Sequence, residues 1–210
     1  MTNIKTKLIS LALAACMLCA ASISVSAAEI NQSGGSGSTP VNLTTTNGGL
    51  NDDGTGGGTV TPTKLNVTVP TALPLAMSDD GTVVTADNCK IVNNSYGAVR
   101  VKTVTISAAS DWNLTSFGDK TSLAGEKVDS NKLGFSLSIG GGKEVMTKGN
   151  AATQKLIAAP MDGCYMTGVG DPSGNTAAID YAAIVTPMSG AVNNSTIANV
   201  IFVIEWDLAE

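Results

Sequence analysis

Beyond Pro62 the apolar residues recur at every second position, in short runs that Gly, Pro, Asn and Asp keep cutting off. Side chains two apart share one face of an extended strand, so this period selects β-structure, and the frequent stops select many short strands. Leu65, Val67 and Val69 alternate with Lys64, Asn66 and Thr68, and Pro70 ends this first expected strand. Asp79-Asp80-Gly81 has tight-turn chemistry and leads into Thr82 to Thr85, followed by a short strand from Cys89 to Val92 that Asn93-Asn94-Ser95 closes. Val99 to Ile106 is rich in β-branched residues, and Leu133, Phe135, Leu137 and Ile139 alternate with small residues until Gly140-Gly141-Gly142. Ala182 to Val185 is a shorter candidate strand. Ala198 to Leu208 carries Val200, Phe202, Ile204 and Trp206 on one face and Ile201 and Val203 on the other, the pattern of a strand buried on both sides near its middle. Helical spacing is suggested only over Ala151 to Ala159 and Thr176 to Ala183, and Pro160 and neighbouring Gly and Pro keep both short. The expected fold is all-β, a β-sandwich or related barrel over residues 63–210.

The preceding residues belong to other classes. Lys5 and Lys7 stand before an apolar stretch from Leu8 to about Val25, and Ser26-Ala27-Ala28 closes it, which is the layout of a secretory signal peptide over residues 1–28. A membrane anchor is the competing reading, but the small residues and the polar sequence that follows favour cleavage. Leu13-Ala14-Ala15-Cys16 resembles a lipobox; cleavage there would leave a further apolar stretch rather than a polar tether, so cleavage after Ala28 is preferred. Residues 29–62 are almost all Gly, Ser, Thr, Asn and Asp, too poor in apolar side chains to offset ordering entropy, and are expected to form a disordered, flexible linker.

Removal of the leader leaves 10 basic and 17 acidic side chains, a net charge of −7. With no cluster of Lys or Arg, nucleic acid and anionic membrane surfaces are poor partners, and no membrane span remains in the mature chain. Export predicts a secreted, extracellular protein. Two cysteines survive processing, Cys89 and Cys164; in an oxidising compartment they either form a disulfide or stay as two small buried thiols, and the sequence leaves both open.

Histidine is absent, which removes the commonest general base and every Ser-His or Cys-His nucleophile. Asp111, Asp162, Asp180 and Glu205 are the carboxylates to weigh for glycoside hydrolysis, but no spacing pairs any two of them, and aromatic residues that would line a sugar cleft are scarce. Asp52-Asp53-Gly54 and Asp79-Asp80-Gly81 can each offer oxygens to calcium, without the other ligands of a recognised loop. Zinc lacks histidine and closely spaced cysteines, and the glycines at 140–142 open no phosphate cradle. No metal, cofactor or catalytic residue is therefore expected.

One pattern occurs twice. Val92-Asn93-Asn94-Ser95 leads to Trp112-Asn113-Leu114, and Val192-Asn193-Asn194-Ser195 leads to Trp206-Asp207-Leu208, so both tryptophans of the chain sit in Trp-x-Leu. On a strand each Trp and Leu would form one apolar patch, either packed in the core or, near a strand end, exposed for stacking on a sugar or peptide. Two such motifs in an exported chain with a polar linker resemble the WxL cell-wall-binding domain of Gram-positive surface proteins, over about Lys64 to Glu210. The chain departs from that pattern with Asp111 before the first Trp, and with Val200 and Ile204 at the Tyr and first Leu positions of the second motif. The resemblance implies non-covalent attachment to peptidoglycan, often beside other surface proteins, through Trp112, Leu114, Trp206 and Leu208.

The leading expectation is thus a secreted surface protein that binds the cell wall without catalysis. A structural subunit of an extracellular fibre or matrix, in which Val41 and Leu43 seed a donated strand, is the alternative. A glycan-active enzyme is the third reading.

Overall fold

The computed structural model describes residues 64–208; the leader, the linker, Cys16, Val41, Leu43 and the Asp52-Asp53-Gly54 turn lie outside the described residues. Val99–Ala108 is rich in β-branched residues, and it forms a ten-residue strand whose Val99, Val101, Val104 and Ile106 are fully buried. The switch from odd to even buried positions is made by a β-bulge: Val203 of the last strand pairs with Thr103 while the next residue, Ile204, pairs with Val101, so Lys102 is the extra residue.

In chain order the strands are β1 (Val67–Thr68), β2 (Leu75–Met77), β3 (Val83–Thr85), β4 (Lys90–Asn93), β5 (Val99–Ala108), β6 (Asn113–Thr115), β7 (Lys132–Ile139), β8 (Val145–Met146), β9 (Thr153–Ile157), β10 (Tyr165–Met166), β11 (Thr176–Val185) and β12 (Ala198–Trp206). A six-stranded sheet runs β1-β4-β11-β7-β6, with β8 also on β7; a four-stranded sheet runs β10-β5-β12, with β9 also on β5; β2 and β3 form a separate hairpin. All pairs are antiparallel except β6 with β7. That parallel pair needs a long crossover, and the chain supplies it between Thr115 and Lys132 with a 3-10 turn at Lys120–Leu123. Val99, Val101, Val104 and Ile106 of one sheet and Leu133, Phe135, Leu137, Ile139, Ile179 and Tyr181 of the other share one core, so the architecture is that of two sheets packed face to face.

Several expectations are corrected. Thr176–Val185 is no helix but the ten-residue centre of the larger sheet, with Ala177, Ile179, Tyr181 and Ala183 facing the core. Ala151 to Ala159 likewise contains β9 rather than a helix. In both, small or straight-chain residues carry weak strand preference, and pairing with neighbouring strands overrides it. The first strand shortens to two residues, Val67 and Thr68, which pair with Asn93 and Val92 of β4. β12 is not buried on both sides: it lies at the edge of its sheet, and Ile201 and Val203 on its outer face are 53 % and 43 % exposed.

The stop at Gly140 and Gly141 is conformational, since both take positive φ (55° and 71°) that side chains with a Cβ resist. Among the described residues no helix is long and apolar enough to cross a membrane.

Candidate functional site

The two Trp-x-Leu motifs have different surroundings. Trp112 sits in the turn after β5, its amide donating to the Ala109 carbonyl at 3.0 Å, and Leu114 in β6 is fully buried. Trp206 closes β12 opposite Val99, while Leu208 lies beyond the strand and is 70 % exposed. Both indoles are half-buried and pack on the core. The Trp206 ring lies over Gly97, where an added Cβ would come within 3.0 Å of Cζ3. Because Ala198 pairs with Ala108 and Trp206 with Val99, the motifs occupy opposite ends of the β5–β12 pair, roughly 27 Å apart at about 3.4 Å per residue. They do not form one site. Leu114, with no exposed surface, belongs to the core and offers nothing to a wall polymer.

The repeated Val-Asn-Asn-Ser also diverges. Asn93 is fully buried: its Nδ2 donates to the Gly97 and Thr167 carbonyls at 2.9 and 2.8 Å, and its Oδ1 accepts from the Ser95 amide at 2.9 Å. Ser95 in turn accepts from the Asn66 amide at 2.8 Å, so this copy is a structural corner joining β1, β4 and the loop after β10. Asn193, Asn194 and Ser195 are exposed.

Those three exposed residues line the mouth of a cleft of about 830 Å³ on the Trp112 side of the domain. Its walls come from the Pro70 to Met77 segment, from Leu133, Phe135 and Val185 of the larger sheet, and from Ile106, Val200 and Phe202 of the smaller one, with Trp112 among them. None of the lining residues is ionisable. An amide and hydroxyl rim, from Asn193, Asn194, Ser195, Thr196 and Asn199, stands over an apolar and aromatic floor. The volume falls within the roughly 300 to 1,000 Å³ typical of small-ligand sites. Of the four expected contact residues only Trp112 lies in this cleft. Phe202 and the Asn193–Asn199 rim escaped sequence reasoning, although the duplicated Val-Asn-Asn-Ser had marked the rim.

One wall of the cleft is held by Tyr181. Its buried hydroxyl donates to the Pro74 carbonyl at 2.7 Å and accepts from the Ala86 amide at 3.2 Å, and burial pushes the phenol above its ordinary pKa.

The carboxylates lie outside this cleft. Glu205 accepts from Arg100 Nε at 2.9 Å and Lys102 Nζ at 2.7 Å, which hold it below the usual carboxylate range, Lys102 contributing most. Asp111, Asp162 and Asp180 are exposed. Asp180 and Glu144 line a second, open depression of about 330 Å³ with Ser138 and Tyr181. Asp80 spends its oxygens on the turn and on Lys120: it accepts from the Thr82 amide at 2.9 Å, the Thr82 hydroxyl at 2.8 Å and Lys120 Nζ at 3.0 Å. Among the described residues no three His, Cys, Asp or Glu side chains gather as metal ligands. Cys89 and Cys164 are both free thiols, so the disulfide alternative is not realised here; Cys164 is buried, and its burial raises the thiol pKa.

Compared with protein-family models, curated proteins and solved structures, the chain shows no match.

Proposed function

We propose that this protein is a secreted, non-catalytic binding module that attaches to a cell-wall polymer, peptidoglycan in the first instance, through the cleft beside Trp112. The observation that carries the reading is the composition of the cleft: an indole and Phe202 below, neutral amides and hydroxyls at the mouth, and no ionisable lining residue. Aromatic rings stack on the apolar faces of sugars, and Asn side chains both donate and accept hydrogen bonds, so such a surface suits the neutral, hydroxyl-rich sugar rings of a glycan strand. Acid–base or nucleophilic chemistry would need groups that the cleft does not present. The leader and polar linker expected over residues 1–62 fit an exported module of this kind.

The test is retention of the full mature chain on purified peptidoglycan sacculi. Wild type is expected to sediment with sacculi, and Asn193→Ala with Asn199→Ala to weaken retention at unchanged melting temperature. Absence of sedimentation, or retention untouched by these rim substitutions, overturns the assignment.

The alternative of an assembly subunit draws support from a different feature, the open edge of β12.

A further inference from the structure

Among the described residues β12 hydrogen-bonds to β5 alone. The Ala109 amide donates to Ile197 O, and the Asp207 amide donates to Ala98 O, so odd-numbered residues of this strand turn their backbone groups toward β5. In an antiparallel ladder the intervening residues then turn theirs outward, which leaves Val200, Phe202 and Ile204 presenting N–H and C=O at the free edge. The bulge lies in β5, so β12 itself stays regular over nine residues.

Exposed edges are normally blunted by shortness, Lys, Pro or charge. The other edges of the two sheets follow that rule: β1 and β10 have two residues each, β6 has three, and β9 has five with Lys155 in the middle. β12 has nine residues, no Lys or Pro, and a single charge, Glu205, already engaged by Arg100 and Lys102. Ile201 and Val203 add apolar side chains on its solvent face.

We propose that this edge is a homodimer interface, in which β12 of a second copy adds antiparallel to β12 and continues the four-stranded sheet across a two-fold axis at Phe202. A second copy is favoured over other occupants because the strand is complementary to itself in this register. Ile201 stands opposite Val203 of the second copy, so the exposed apolar residues cover one another on the outer face. On the cleft side Val200 meets Ile204 and Phe202 meets its counterpart. Glu205 falls opposite Asn199, and no like charges are opposed. Isologous pairing of one edge closes at two copies. The inference does not rest on wall binding, and its readout in solution is separate from sacculus retention.

The experiment is sedimentation analysis of the full mature chain up to its solubility limit, with I201K/V203K and I201E/V203E. Both positions project into solvent, so the folded monomer should accept either pair, which circular dichroism checks. Wild type is expected to be dimeric and each variant monomeric; an equal mixture of the two should recover a dimer, because Lys and Glu are then opposed at both cross-strand pairs. Hydrogen exchange of wild type, needing no variant, should slow at Val200, Phe202 and Ile204 as concentration rises. A monomeric wild type, variants that dimerise as well as wild type, growth beyond two copies, or concentration-independent exchange overturns the proposal. Loss of association on V41D/L43D with the β12 edge variants unaffected also overturns it, by making the amino-terminal segment the occupant.

Discussion

The Tyr181 hydroxyl, 107 residues along the chain from Pro74, donates to the Pro74 carbonyl at 2.7 Å and thereby ties the strap that walls the cleft to the central strand of the larger sheet. Phe135 supports the ring from the neighbouring strand, with ring centroids 6.1 Å apart. This hydrogen bond adds to the packing of Leu73 and Leu75 on the core in holding the strap.

Tyr181→Phe keeps the ring and removes the donor. The Pro74 carbonyl and the Ala86 amide, both on exposed residues, lose a protein partner that water can replace, and the expected cost is about 0.5 to 1.5 kcal/mol in urea unfolding, with faster hydrogen exchange at Leu75 to Met77. Unchanged exchange in that segment would show that the strap is held by its apolar contacts alone.

The duplicated Asn provides a paired comparison. Asn93→Ala strips three hydrogen bonds from a fully buried corner and is expected to cost about 1 to 3 kcal/mol or more. Asn193→Ala, in exposed sequence, should stay within about 0.5 kcal/mol of wild type. Equal melting temperatures for the two variants would contradict the distinct environments of the two copies.

The Trp-x-Leu residues should separate by burial rather than by motif. Leu114→Ala opens a cavity in the core and is expected to lose about 2 to 5 kcal/mol, whereas Leu208→Ala, past the end of β12, should change stability by less than about 0.5 kcal/mol. Trp112→Ala and Trp206→Ala should both destabilise, since each indole packs on the core, but only Trp112→Ala should also reduce sacculus retention. Equal loss of retention in the two would move the ligand site away from the cleft.

Asp80 should titrate low. The Thr82 amide, then Lys120 and the Thr82 hydroxyl, stabilise its charged form and bring it from 3.8 to about 2. A depressed folded pKa means that the turn's contribution is complete above the ordinary value near 3.8 and is lost as pH falls through about 2. The Thr82 amide resonance is expected to report that lower midpoint; a midpoint near 3.8 would show the clamp open in solution.

The free thiols should differ in access. Cys89 is half-buried and Cys164 buried with a raised pKa, so a thiol reagent at neutral pH should modify Cys89 first and Cys164 only on unfolding. Native protein with no titratable thiol would indicate a disulfide.

Much of the fold was legible locally. Alternation placed β7 and β12, β-branched content placed β5, and Asp79-Asp80-Gly81 forms the turn between β2 and β3, with Gly81 at φ 80°. What failed did so for identifiable reasons. In β11 the core-facing positions Ala177 and Ala183 are too small to announce a strand, and only its place between β4 and β7 makes it one. In β12 two apolar faces implied burial on both sides, but an apolar side chain is equally able to wait at an open edge. The candidate site was legible in one residue, Trp112, because a cleft is assembled from segments as distant as Leu73, Phe135 and Phe202.

The order of residues alone determined the class of structure, through the two-residue period and the turn chemistry that interrupts it, and it withheld the proton-exchanging side chain on which most hydrolases depend. Only the packing of the two sheets decided which Leu is core and which is exposed, which Asn is a buried corner and which a rim, and which strand ends at an open edge. The reason is that burial and pairing are properties of neighbours brought together from far along the chain, and identical short motifs meet different neighbours.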